Sequence, residues 1–201
     1  MSQFWDDKFS REGYSYGTKP NRFLAAKAEL AAKGGAALVP GDGEGRNGVW
    51  LAEQGLEVWS VDSSAVGQAK AKRLAEERRV PVRFELTDLL RWDWPEARFD
   101  LVASIFFHLH SADRPRIHRA MLRALKPGGL LLLEAFRPQQ LGLASGGPKD
   151  LDLLYGAETL AADFAGAEIL ELADVEITLD EGVLHQGLAR TSRLLARRSE
   201  V

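Results

Sequence analysis

The stretch from Ala37 to Ser64, ALVPGDGEGRNGVWLAEQGLEVWSVDSS, runs from an apolar segment through a burst of glycines, a helical pattern and a second apolar segment to an aspartate. That order predicts strand, turn, helix, strand, with the turn and the acid brought to the same end of a parallel pair. Gly41, Gly43 and Gly45 let the backbone turn tightly and admit a ligand where a Cβ would stand. The helix behind them, predicted from Asn47, presents unpaired N–H groups and the positive end of its dipole. Asp62 closes the second strand, 19 residues beyond Gly43. A carboxylate there accepts both hydroxyls of a ribose in nucleotide-binding sheets; its other reading is a cap on the helix start at Ser63–Ser64.

The same alternation continues along the chain. Strand-like runs are read at Ala36–Val39, Glu57–Val61, Val82–Leu86, Phe99–Phe106 and Leu130–Phe136, with helices at Asn47–Gln54, Ser64–Arg79 and Ala112–Leu125. Leu125–Gly129, LKPGG, reads as a helix stop and a turn into the next strand. Glu168–Thr178 and Leu188–Ala196 leave no room for a helix between them and are expected to pair antiparallel. The fold expected is α/β: a Rossmann-like, seven-stranded, mostly parallel sheet with a terminal antiparallel hairpin and helices on both faces. Residues 1–201 are read as one domain, with a core over 36–201. Residues 1–35 are an N-terminal lid and a first helix over Pro20–Lys33. Phe4, Trp5, Phe9, Tyr14 and Tyr16 are costly to leave in water, and the open carboxyl end of the sheet is the apolar surface left for them to cover.

The bulk properties narrow the class. A net charge of −3 argues against a nucleic-acid partner, which calls for a basic face. The chain has no cysteine, so disulfides and thiolate metal sites are excluded. Its first residues carry acids and aromatics where a signal peptide needs a basic stretch and an apolar core. No apolar run approaches the ~20 residues of a membrane span, so the expected location is cytoplasmic. The four histidines show no i,i+4 pair and no carboxylate at ligand spacing, so no metal site is expected.

Two cofactor types suit the glycine loop. Gly43, Gly45 and Gly48 match G-x-G-x-x-G of dinucleotide folds, but that loop should begin directly after the strand, where Gly41 begins G-x-G-x-G instead. The G-x-G-x-G loop, the turn at Asp88, the KPGG turn and the terminal hairpin together resemble the class I S-adenosylmethionine-dependent methyltransferases. The stretches FWDDKFSREGYSYGTKPNRFL, GEGRNGVWLAEQGLEVWSVDSS, LKPGGLLLLEAF and GGPKDLDLL are similar to the small bacterial type near the tellurite-resistance and thiopurine methyltransferases. The resemblance implies S-adenosylmethionine as cofactor, S-adenosylhomocysteine as product and a small-molecule acceptor. It also implies that Tyr16 and Gly17 fold over the cofactor and that the loop Ala144–Gly156 meets the acceptor. Asp88 is expected on an exocyclic amine of the base, with Leu89, Ser63 and Ile105 beside the ligand. One position departs from the family: the acid usual two residues before the first loop glycine is Val39. Asp42 is the candidate to compensate, and a cofactor-binding protein without catalysis stays open beside an NAD(P)-dependent oxidoreductase.

A sulfonium methyl is already activated, so such a protein mainly aligns a nucleophile and excludes water. A general base helps only where the nucleophile must lose a proton. His108, in SIFFHLH at the end of strand four, and Glu134, an acid in an apolar strand, are the candidate catalytic groups. Either could equally be a hydrogen-bonding residue of the framework. The oligomeric state is not readable from the sequence.

Overall fold

The computed structural model describes residues 2–27 and 34–199. Seven strands form one sheet: β1 (Ala36–Pro40), β2 (Glu57–Asp62), β3 (Arg83–Leu86), β4 (Phe99–Ile105), β5 (Leu125–Phe136), β6 (Ala167–Asp180) and β7 (Gln186–Arg198). Their order is β3-β2-β1-β4-β5-β7-β6. Strands β1 to β5 pair in parallel, while β7 runs antiparallel to both β5 and β6. The expected mostly parallel seven-stranded sheet with a terminal antiparallel pair is therefore present. The switch in strand order falls between β1 and β4, the place beyond whose carboxyl ends open parallel sheets bind ligands.

Period-two alternation explains how both faces are covered. Leu38, Val102, Leu131 and Leu133 pack on one face, against Ile117, Met121, Leu160 and Phe164. These belong to α5 (Arg114–Ala124) and to α6 (Ala157–Asp163) with its flank. Ala37, Val39, Leu101, Ala103 and Leu132 point to the other face, under Phe23, Leu24 and Leu51. Those come from α2 (Arg22–Lys27) and α3 (Arg46–Glu53), with α4 (Ala65–Arg78) beyond them. At ~25 cal/mol per Å² of apolar surface, these two layers are the main source of the sheet's stability.

Three expectations are refined. The N-terminal segment contains a helix, α1 (Ser2–Phe9), where only an aromatic extension was read. Leu125 pairs with Phe99 and Leu130 with Leu101, so Lys126–Gly129 is a turn looped out of the ladder within β5. Within the segment Ala144–Gly156, a 3₁₀ turn at Leu151–Leu153 leads into buried Leu154 and Tyr155. The helix expected over Pro20–Lys33 is present over Arg22–Lys27, and its remainder lies outside the described residues. Among the described residues no helix is long and apolar enough to cross a membrane.

Candidate active site

The glycine loop leaves β1 at the switch point. Gly41, Gly43 and Gly45 all have left-handed backbones, at φ +68°, +56° and +86°. At Gly45 the requirement is also one of space, since a Cβ there would stand 2.6 Å from Ala71 Cβ on α4. The Gly43 N–H donates to Asp62 Oδ2 and the Ser64 N–H to Asp62 Oδ1, each at 2.8 Å. Burial raises the Asp62 pKa, and these N–H donors oppose it. Ser64, not Asp62, is the side-chain cap of α4, accepting from Gly67 N–H at 3.0 Å.

Asp42 does not face a ligand. Its Oδ2 accepts from the Ser60 hydroxyl at 2.7 Å and its Oδ1 from Gly48 N–H at 3.2 Å, beneath the loop. Burial pushes its carboxyl up to about 6 against those two donors. The carboxylate expected to compensate for Val39 is therefore held by Ser60 and Gly48. Gly48 gains its own explanation, because a Cβ there would collide with the Asp42 carboxylate.

The N-terminal segment lies over this loop. Phe9 is buried, and its ring occupies the space where a Gly43 Cβ would stand, 2.8 Å from it. Trp5 stacks on Phe9 with centroids 5.5 Å apart, and Phe9 meets Tyr16 edge-on at 6.3 Å. Polar anchors hold the cover down. Asp6 accepts from the Ser64 hydroxyl at 2.6 Å, and Lys70 Nζ donates to Arg11 O, Gly13 O and Glu44 Oε1. Glu44 also accepts the Ser15 N–H at 2.7 Å. Gly17 packs against Gly182 in the β6–β7 turn, and Tyr16 lies on the His185 ring at 4.4 Å; burial raises its phenol to about 12.

That turn brings in residues the sequence reading passed over. Arg46, the first residue of α3, is buried and donates from Nη2 to Glu181 Oε2 at 2.9 Å. Its Nη1 is buried with no hydrogen-bond partner among the described residues. His185 Nδ1 lies 3.5 Å from Glu181 Oε2, an ion-pair distance without hydrogen-bond alignment. Burial works to raise the Glu181 pKa, yet His185 and Arg46 outweigh it and hold the carboxyl near 2; His185 is pushed down by its own burial. A signal was there to read. A cation at a helix N-terminus opposes the helix dipole and needs an acid partner.

The remaining candidates sit as follows. Glu134 is fully buried; its carboxylate accepts from Asn21 Nδ2 at 2.6 Å, Thr191 Oγ1 at 2.9 Å and Arg193 Nε at 2.8 Å. It is a hydrogen-bonded joint of the sheet end, the framework arrangement given as its other reading. His108 donates from Nδ1 to Leu153 O at 2.6 Å, leaving Nε2 to face the Phe136 N–H at 3.4 Å. Burial lowers its pKa to about 4, against the Leu153 carbonyl. Both ring nitrogens are thus turned to the backbone, which is the framework arrangement given as the other reading of His108. Asp88 is exposed and accepts from Leu90 N–H at 3.0 Å, as a turn aspartate does. The Asn47 side-chain carbonyl holds the Asn21 N–H at 2.9 Å. Leu89 and Ile105 are buried in the two core layers, and Ser63 is half-buried beside Asp62. Phe106, directly after β4, has φ +53°, rare for a residue with a side chain and a conformation found at functional sites.

Comparison with known proteins shows what this chain is similar to. Residues 37–129 match the family model of a methyltransferase domain. A demethylmenaquinone methyltransferase of Deinococcus radiodurans is 35% identical over 124 residues, covering 61% of this chain and 52% of the relative. The chain thus spans about half the length of that curated relative. Among solved structures, one described as converting a disulfide bond into a thioacetal group during echinomycin biosynthesis superposes with a TM-score of 0.80. It is 21% identical and covers 100% of this chain and 92% of its own. TehB from Haemophilus influenzae gives a TM-score of 0.75 at 18% identity, covering 98% of this chain and 67% of that one. Residues 37–129 are thus similar to a methyltransferase domain, and across its length the chain shares the fold of these two solved structures.

Proposed function

We propose that the protein binds S-adenosylmethionine beyond the carboxyl ends of β1, β2 and β4 and transfers its methyl group to a small-molecule acceptor. The observation that carries this is the joining of the left-handed glycine loop to the Asp62 carboxylate through Gly43 N–H. Two N–H donors orient the carboxylate, and each oxygen keeps a second lone pair for a ribose hydroxyl. The buried Arg46 Nη1, without a partner, suits the carboxylate of the methionine end. Val39 lies in the apolar layer, so the usual acid is absent there, and the Arg46–Glu181 pair stands beside the loop. The residues present therefore fit the cofactor.

When bound, the cofactor supplies an activated methyl group. The protein's own part is to orient and to exclude water, for which the Trp5, Phe9 and Tyr16 cover is suited. His185, with Phe106 and Phe136 against it at 4.9 and 5.4 Å, is an imidazole at this aromatic rim whose Nδ1 has no hydrogen-bond partner among the described residues. It is the group we assign to an acceptor that must lose a proton. A net charge of −3 favours a small acceptor over a nucleic acid. The antiparallel β7 departs from the 3-2-1-4-5-6 order of dinucleotide folds, which weighs against the oxidoreductase reading.

The test is calorimetric titration with adenosylhomocysteine beside NAD(H) and NADP(H), then a radiolabelled methyl-transfer screen over thiols, amines, phenols and metalloid oxyanions. Binding of adenosylhomocysteine alone, with transfer to one acceptor class, is expected. Binding without transfer to any acceptor returns the reading to a cofactor-binding protein.

A further inference from the structure

We infer that Tyr155 and His108 are positioning residues: they tie the loop after β5 to the loop after β4, and through Phe107 they set the geometry of the cofactor loop at Gly41. This rests on the cofactor site proposed above.

The links are specific and largely shielded from water. Tyr155 is 1% exposed; its hydroxyl donates to Phe107 O at 3.1 Å and its N–H to Phe136 O at 3.2 Å. One residue on, the neutral His108 ring bridges Leu153 O and Phe136 N–H, stacked on the Phe136 ring at 5.7 Å and 13°. Phe106 lies between β4 and these links in its left-handed conformation, with its N–H on Glu134 O at 2.7 Å. Such a backbone persists only where the surroundings over-determine it.

The Tyr155 ring is itself held by the two helices on that face. Arg114 of α5 stands 5.1 Å over it, and His118 meets it edge-on at 5.8 Å. Both Arg114 Nε and His118 Nδ1 are bonded to Asp163 of α6, at 2.7 and 2.8 Å. The consequence reaches the cofactor loop through Phe107. A Cβ on Gly41 would stand 2.7 to 3.0 Å from three atoms of the Phe107 side chain. The Phe107 ring therefore lies flush on the first loop glycine, and moving the Phe107 backbone moves what Gly41 packs against. An acceptor that shifts the loop after β5 changes cofactor affinity by this route, and the cofactor changes acceptor affinity by the same factor.

A double-mutant cycle on the full chain tests this, with adenosylhomocysteine affinity by calorimetry and thermal melting as readouts. Tyr155→Phe, which removes one hydroxyl, should weaken adenosylhomocysteine binding by about 3- to 12-fold. In a Phe107→Ala background the same change should shift affinity by less than about twofold, because the ring that carries the effect is gone. A lowered melting temperature with unchanged affinity, or equal losses in both backgrounds, overturns the coupling and leaves Tyr155 as packing. Should Tyr155→Phe fail to fold, His108→Asn enters the same cycle with the same two outcomes. Failure of the wild-type protein to bind adenosylhomocysteine overturns the cofactor reading and the coupling together, whereas wild-type binding with an additive cycle overturns the coupling alone.

Discussion

Asp62 Oδ2 accepts the backbone N–H of Gly43 at 2.8 Å, so the acid that ends β2 and the glycine loop that leaves β1 form one unit. The other carboxylate oxygen holds the Ser64 N–H, which extends the unit to the start of α4. Arg46 follows this loop directly, and Glu181, from the distant β6–β7 turn, accepts from its guanidinium at 2.9 Å.

Asp62→Ala should weaken adenosylhomocysteine binding by roughly 1.5–3 kcal/mol, the scale of hydrogen bonds to a charged group, or about 10- to 150-fold. Calorimetry on a variant of intact fold is the check. Unchanged affinity removes the ribose role and leaves the carboxylate as a tie between loop and helix.

Gly43→Val should abolish cofactor binding in a folded protein. A β-branched residue is strained at φ +56°, and its Cβ would meet the Phe9 ring at 2.8 Å, lifting the aromatic cover. Circular dichroism must accompany the titration, and a folded variant that binds normally takes the loop out of the site.

Glu181 makes a pH prediction. Its folded pKa, near 2, lies below the ordinary 4.5, so its stabilising contribution is complete above pH 4.5 and is lost as pH falls toward 2. Two and a half units correspond to on the order of 3 kcal/mol. Glu181→Gln should therefore lower the melting temperature clearly at pH 7 and much less at pH 3. An equal deficit at both pH values would mean that ion pairing with Arg46 contributes nothing beyond packing.

Amide exchange tests the cover itself. Adenosylhomocysteine should slow exchange across Phe4–Asn21, because this segment meets the core through the Phe9 ring and a few side-chain bonds, such as Asp6 to Ser64 and Lys70 to Arg11 O and Gly13 O, rather than through a backbone ladder. Strong protection in the free protein, unchanged by ligand, makes the segment permanent packing and removes Tyr16 from the site.

The strands and helices from Ala36 to Phe136 were legible in sequence because period two and period 3.6 record which side chains face a core, and that information is local. The place of the site followed equally, since parallel strands put Gly41–Gly45, Asp62 and Phe106 at one end of the sheet whatever the side chains do. What only the tertiary structure decided is which polar groups meet. Arg46 finds Glu181, Asn21 finds Glu134, and Tyr16 finds His185, all across more than a hundred residues and brought together by antiparallel β7 returning its hairpin to the site. Asp42 and His108 sit at the predicted end of the sheet, yet both turn away from it. A buried polar group takes whichever donor or acceptor the packed chain leaves within reach, and for Asp42 these were Ser60 and Gly48, for His108 the backbone at Leu153 and Phe136. Spacing along the chain records the face and the end of the sheet, but the partner that satisfies a buried charge is selected only when the distant strands close.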